Sequence, residues 1–129
     1  MARTRSVSLT DAELRLMQVL WDRGAATVGD VVGALKSRPS PAYNTVLTLL
    51  RIMERKGYVT HVKAGRAFVY EPVIDRQRAQ QGAVRHLLKR FFDDSPRALV
   101  LNLLRDEGLD PHEVEALRGL VEDAAEETP

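Results

Sequence analysis

No cysteine occurs among the 129 residues, which excludes a disulfide framework, a thiolate metal site and a cysteine nucleophile. No apolar run approaches the roughly 20 residues that span a bilayer. The start Met1-Ala2-Arg3-Thr4-Arg5 is basic but has no apolar stretch behind it, so no secretory signal is expected. A Gly-rich phosphate loop, a Gly-x-Ser-x-Gly elbow and a compact carboxylate pair are all missing. His61, His86 and His112 fall in three different predicted elements, without the i, i+4 spacing of a helical metal pair. These absences point away from an enzyme, and no cofactor or metal is expected. Neither an internal repeat nor a low-complexity segment appears. The expectation is a soluble cytoplasmic protein, without membrane insertion, of one domain or a small domain with an appended helical lobe.

Net charge is also nearly absent, at +1, but it conceals a polarity. Residues 1–72 carry 11 basic and 6 acidic side chains, whereas residues 73–129 carry 8 and 12. Within the second part, residues 91–129 hold 3 Lys/Arg against 11 Asp/Glu. A basic front and an acidic back suggest one lobe for a polyanion and another for something else. Two solvated helical surfaces of different sign would give the same count.

Thr10-Asp11-Ala12-Glu13 is a capping box, in which Thr10 caps the Glu13 amide and Glu13 reaches back. Leu14, Met17 and Trp21, with Leu16 and Leu20 one step round, then predict an amphipathic helix ending at Gly24. Thr27-Val28-Gly29-Asp30 opens a second, short helix through Val31, Val32 and Leu35 to about Ser37. Arg38-Pro39-Ser40-Pro41 reads as a turn, with Ser40 as N-cap and Pro41 in the first helical position. A third helix then runs to about Lys56 and stops at Gly57. Tyr58–Lys63 and Ala67–Tyr70 are β-branched and aromatic, and with Ala64-Gly65-Arg66 as a three-residue loop they predict a hairpin closed by Pro72. From about Ile74 the spacing of Val84, Leu87, Leu88 and Phe91 is helical again. Asp94-Ser95-Pro96 and Asp110-Pro111-His112-Glu113 start two further helices, and Glu126–Pro129 should fray.

Three helices and a hairpin in residues 1–72 have the order of a winged helix-turn-helix, a DNA-binding arrangement; residues 73–129 read as a separate helical domain. The fold class is therefore mostly α with one small β-hairpin. The third helix puts Val46, Leu49, Leu50 and Met53 on one face at 100° per residue. Asn44, Thr48, Arg51 and Arg55 fall on the opposite face. This face offers an amide that suits adenine, a hydroxyl and methyl group, and two guanidinium groups that suit guanine or phosphate. An isolated amphipathic helix would also have a polar outer side; the agreement with the neighbouring turn and hairpin favours DNA reading. Tyr43 and Thr45 join Asn44 in the first turns, where such helices touch bases, although Tyr43 could equally pack on the second helix. Lys63 and Arg66 flank the hairpin tip, in reach of phosphate or the minor groove. Arg3 and Arg5 form a basic arm.

In the acidic part, Val84, Leu87, Leu88, Phe91, Leu99, Val100, Leu103, Leu117, Leu120 and Val121 are too many apolar residues for three helices of one chain to cover. A second copy would bury them, which predicts a homodimer; folding back on the first domain is the alternative. The runner-up readings are a winged-helix module for protein–protein docking and a regulator released by a small molecule.

The stretch Ala42-Tyr43-Asn44-Thr45-Val46-Leu47-Thr48-Leu49-Leu50-Arg51-Ile52-Met53-Glu54-Arg55-Lys56-Gly57-Tyr58-Val59 resembles the recognition helix of the penicillinase-repressor (BlaI/MecI) family. Leu9–Leu14 through Trp21 is similar to that family's first helix. Val100-Leu101-Asn102-Leu103-Leu104, with Leu109 and Glu113–Arg118, resembles its C-terminal signature. The resemblance covers nearly the whole chain. It implies a homodimeric repressor on a palindromic double-stranded DNA operator, often ahead of β-lactam-resistance or stress genes. It further implies a membrane sensor whose signal leads to cleavage at an Asn-Phe bond, which corresponds here to Asn102-Leu103, with Leu in place of Phe. A copper-responsive branch uses paired cysteines, and this chain has none.

Overall fold

Thr10 opens the first helix as its sequence predicts. In the computed structural model, which describes residues 7–35 and 41–127, Thr10 Oγ1 accepts the Glu13 N–H at 3.1 Å and Glu13 Oε1 accepts the Thr10 N–H at 2.9 Å. The helix, α1, spans Asp11–Arg23 and ends where the Gly24 N–H donates to the Leu20 carbonyl. Its buried side is Glu13, Leu16, Met17 and Leu20. The predicted stripe is thus rotated, because Leu14 points outward and Trp21 is only half-buried. A strand of two residues, β1 (Ala26–Thr27), precedes α2 (Val28–Ala34), which Thr27 caps together with Asp30. The second helix therefore ends earlier than Ser37. Arg3, Arg5 and the turn residues Arg38, Pro39 and Ser40 lie outside the described residues.

The third helix, α3, spans Tyr43–Arg55, two residues later than the proline signal suggests. Proline tolerates a first helical position but does not compel a helix there. Ala42 stays extended and supplies only its carbonyl, which accepts the Val46 N–H at 3.1 Å. Val46, Leu50 and Met53 are fully buried, and Leu49 half-buried, against α1 and α2. Replacing Leu50 with alanine would cost about 2–5 kcal/mol.

Strands β2 (Val59–Ala64) and β3 (Ala67–Pro72) form the hairpin. Ala64 pairs with Ala67, so the connection is only Gly65-Arg66, not three residues. A two-residue loop of this kind needs positive φ at its first position, and Gly65 has φ +63°. The sheet is antiparallel in the order β1-β3-β2, with Ala26 opposite Tyr70 and Thr27 opposite Val69. A third strand was not foreseen, since two residues are too few to display a period. Val59 and Tyr70 close the core from the sheet side.

Helix α4 (Arg76–Phe91) starts against α1. The Trp21 Nε1–H donates to the Ile74 carbonyl at 2.9 Å, and Arg76 binds Asp22 at 3.1 Å while lying over the Trp21 ring. Further along, Gly82 meets the backbone of Val7 so closely that a Cβ would overlap the Val7 carbonyl. Ile74 and Ala79 are accordingly part of the first core. The compact units divide after His86, within α4, whereas the sequence expectation put the division at 72/73.

The second unit holds the end of α4, then α5 (Pro96–Asn102), a π-helical turn (Leu103–Glu107) and α6 (Pro111–Glu127). Ser95 Oγ caps α5 by accepting the Ala98 N–H, as its Ser-Pro pair predicts. The π turn closes with the Gly108 N–H on the Leu103 carbonyl at 3.0 Å. At α6, Asp110 accepts the His112 N–H and Glu113 reaches back to the Asp110 N–H, a box offset by one residue. Among residues 87–105 and 108–123 of this unit, none is buried.

Candidate nucleic-acid interface

The outer face of α3 follows from the phase of its inner one. With Val46, Leu50 and Met53 buried, Asn44, Thr48, Arg51 and Arg55 project together on the exposed side, and Tyr43 and Thr45 are exposed beside Asn44. Tyr43 keeps 54% of its surface exposed, so packing on α2 does not bury it. Lys63 is exposed on β2, opposite Phe68, and Arg66 forms half of the hairpin turn. All eight predicted interface residues thus lie on the outside of the first unit, six on α3 and two at the wing tip.

Two polar features behind this face were not read from the sequence as tertiary contacts. Glu13 is 1% exposed, yet besides Thr10 it accepts a bond from Lys56 Nζ at 2.8 Å. This ion pair joins the start of α1 to the residue that follows α3. Burial alone raises the Glu13 pKa, but the bonds from Lys56 and Thr10 outweigh it and hold the carboxyl below its usual value. A signal existed: Glu13 stands at i with Leu16, Met17 and Leu20 at i+3, i+4 and i+7, on the stripe that is buried. The second feature is His61, whose Nδ1 approaches Glu54 Oε1 at 2.7 Å. Burial and then the Glu54 charge push the Tyr70 hydroxyl above its ordinary pKa, against the opposing charge of Arg51.

The predicted dimer residues divide among elements. Val84, Leu87, Leu88 and Phe91 lie on α4, Leu99 and Val100 on α5, Leu103 on the π turn, and Leu117, Leu120 and Val121 on α6. Leu88 and Leu99 are half-buried; the rest are exposed, with Phe91 and Val121 about two-thirds so at 66% and 67%. Among the described residues no group of His, Asp and Glu is arranged to hold a metal, and no helix is long and apolar enough to cross a membrane.

Three helices, a two-stranded wing and a polar, cation-bearing third helix define the chain as a winged-helix DNA-binding regulator of transcription. The penicillinase repressor family model matches residues 9–123, and the chain belongs to that family, whose members are transcriptional repressors and not enzymes. It is 30% identical over 115 residues to the penicillinase repressor of Bacillus licheniformis, spanning 89% of this chain and 90% of that protein. To the transcriptional regulator BlaI of Mycobacterium tuberculosis it is 34% identical over 112 residues, 85% of this chain and 80% of that one. The solution structure of the DNA-binding domain of the repressor BlaI superposes with a TM-score of 0.51 at 32% identity, covering 59% of this chain and 93% of that domain.

Proposed function

We propose that this chain is a homodimeric, sequence-specific repressor that occupies a palindromic operator and so occludes a promoter. The observation that carries this reading is the row Asn44, Thr48, Arg51 and Arg55, exposed on the side of α3 opposite its buried residues. At ~1.5 Å per residue such a helix suits the major groove, where an amide and guanidinium groups read base edges. Lys63 and Arg66 add phosphate or minor-groove contacts from the wing. The exposed apolar residues of α4, α5 and α6 support pairing with a second copy, because operator symmetry mirrors protein symmetry. Penicillinase repressors among its relatives support target genes for β-lactam resistance or a related stress, and a cytoplasmic site of action.

Release by a membrane sensor protease belongs to the same proposal. Asn102 ends α5 and Leu103 begins the π turn, so the Asn102-Leu103 bond lies inside helical backbone that must open before a protease can hold it extended. Cleavage there separates α6 from the rest of the lobe and weakens pairing.

Selection of genomic DNA fragments by the purified protein tests the reading. An enriched palindrome whose affinity falls steeply between low and physiological salt supports it. No sequence enriched at any salt refutes it.

A further inference from the structure

Support for the hairpin is uneven along its length. β1 pairs with β3 only at Tyr70 and Val69. Beyond that rung, residues 63–68 form a ribbon of two strands, which alone is at best marginally stable in water. This ribbon carries Lys63 and Arg66. On the face of the sheet that bears the buried Val59 and Tyr70, His61 stands opposite Tyr70, and Phe68 stands opposite Lys63 two rungs further out.

The His61 ring meets Phe68 edge-on, with centroids 5.1 Å apart, and lies tilted against Tyr70 at 5.3 Å. Its Nδ1 is 2.7 Å from Glu54 Oε1 and 2.9 Å from Oε2. A carboxylate only accepts, so Nδ1 carries the hydrogen. One bond from α3 therefore reaches a ring seated on both aromatic residues of β3, just below the unsupported tip.

We propose that Glu54 and His61 are positioning residues for operator binding: they brace the wing on the recognition helix. The brace presents Lys63 and Arg66 in register with Asn44, Thr48, Arg51 and Arg55. It rests on the DNA reading above and makes that reading more specific. Glu54 itself sits between Arg51 and Arg55 in sequence, where a carboxylate repels phosphate. Charge alone therefore makes Glu54→Ala bind DNA more tightly, whereas loss of a brace makes it bind more weakly. The sign separates the two effects.

The test uses full-length protein and the operator fragment recovered by selection, titrated over a salt series. Glu54→Ala should lose about tenfold in operator affinity, and its slope of log affinity on log salt should become shallower by about 1–2 as the wing phosphates are released. Glu54→Gln, whose amide oxygen still accepts from Nδ1–H, should recover most of that loss. In a Lys63→Ala/Arg66→Ala background, Glu54→Ala should cost little more. Hydrogen exchange supplies a readout without DNA: the amides of residues 63–68 should exchange faster in Glu54→Ala, while those of α1 stay protected.

Tighter or unchanged operator binding by Glu54→Ala overturns the proposal. So does an equal loss in the double-alanine background, or unchanged exchange at the tip. If the wild-type protein selects no DNA while the exchange effect is present, the DNA reading itself has failed, and the operator role of the brace is refuted with it.

Discussion

Lys56→Met should destabilise the first unit more than Glu13→Gln, although each removes one half of the same ion pair. The two partners differ in their access to water. The Lys56 side chain is 40% exposed and that of Glu13 only 2%. In Glu13→Gln the amide oxygen can still accept from the Thr10 N–H, and the ammonium group left behind rehydrates. A bond to a charged group contributes about 1.5–3 kcal/mol, and solvent around Lys56 reduces its share here to about 1 kcal/mol. In Lys56→Met a buried carboxylate keeps only Thr10. Breaking one side of a buried pair costs about 3–5 kcal/mol, and the Thr10 bond reduces this to about 2–3 kcal/mol. At about 4–8 °C per kcal/mol for a unit of this size, the expected drops in Tm at neutral pH are about 4–8 °C and about 8–24 °C.

The pH dependence follows from the lowered Glu13 pKa. A carboxyl depressed in the folded state stabilises it above the unfolded value of 4.5, and that contribution is lost as pH falls through the lower folded value. The gap between wild type and Glu13→Gln should therefore close in acid. Lys56→Met removes the main group that lowers this pKa, leaving burial opposed only by the Thr10 bonds, so this variant should regain ground on the wild type as pH falls through the carboxyl range. Circular-dichroism melts between neutral pH and about pH 3 measure both trends. Equal losses from the two substitutions, constant across pH, would refute the reasoning.

Asn44→Ala and Thr48→Ala should each reduce discrimination between operator and random DNA by about 1–3 kcal/mol, while Arg55→Ala weakens both DNAs more nearly alike; competitive binding titrations decide. Gly82→Ala should lower the urea midpoint by an amount equivalent to about 1–3 kcal/mol, since the new methyl group meets Val7 backbone and not a side chain that can rotate away. Leu120→Asp with Val121→Asp should convert a dimer into a monomer in sedimentation at micromolar concentration, with the Tm of the first unit unchanged. A wild-type monomer at that concentration would remove the basis for pairing.

Local chemistry was legible wherever a few neighbouring residues decide it. The Thr10 and Thr27 boxes, the Gly24 stop, the Ser95 cap and the hairpin can be read from side chains within reach of their own backbone. The polar row on α3 was legible for the same reason, because one helical period fixes both faces once the apolar one is known. The start of α3 was not. Pro41 permits a helix, but the extended backbone at Ala42 and the burial of Val46 place its first residue at Tyr43.

The sequence by itself determined the six α-helices and the hairpin, the family and the side of α3 that faces outward, since periodicity and capping act over a few residues. Only the tertiary structure decided that the buried Glu13 pairs with Lys56, 43 positions away, and that β1 joins the sheet through two residues. It also decided that Gly82 admits Val7 and that Glu54 holds His61 under the wing. Each of these depends on a partner distant in sequence or on a backbone approach too close for a side chain. A linear pattern carries neither, because it records the spacing of residues along the chain and not which surfaces meet.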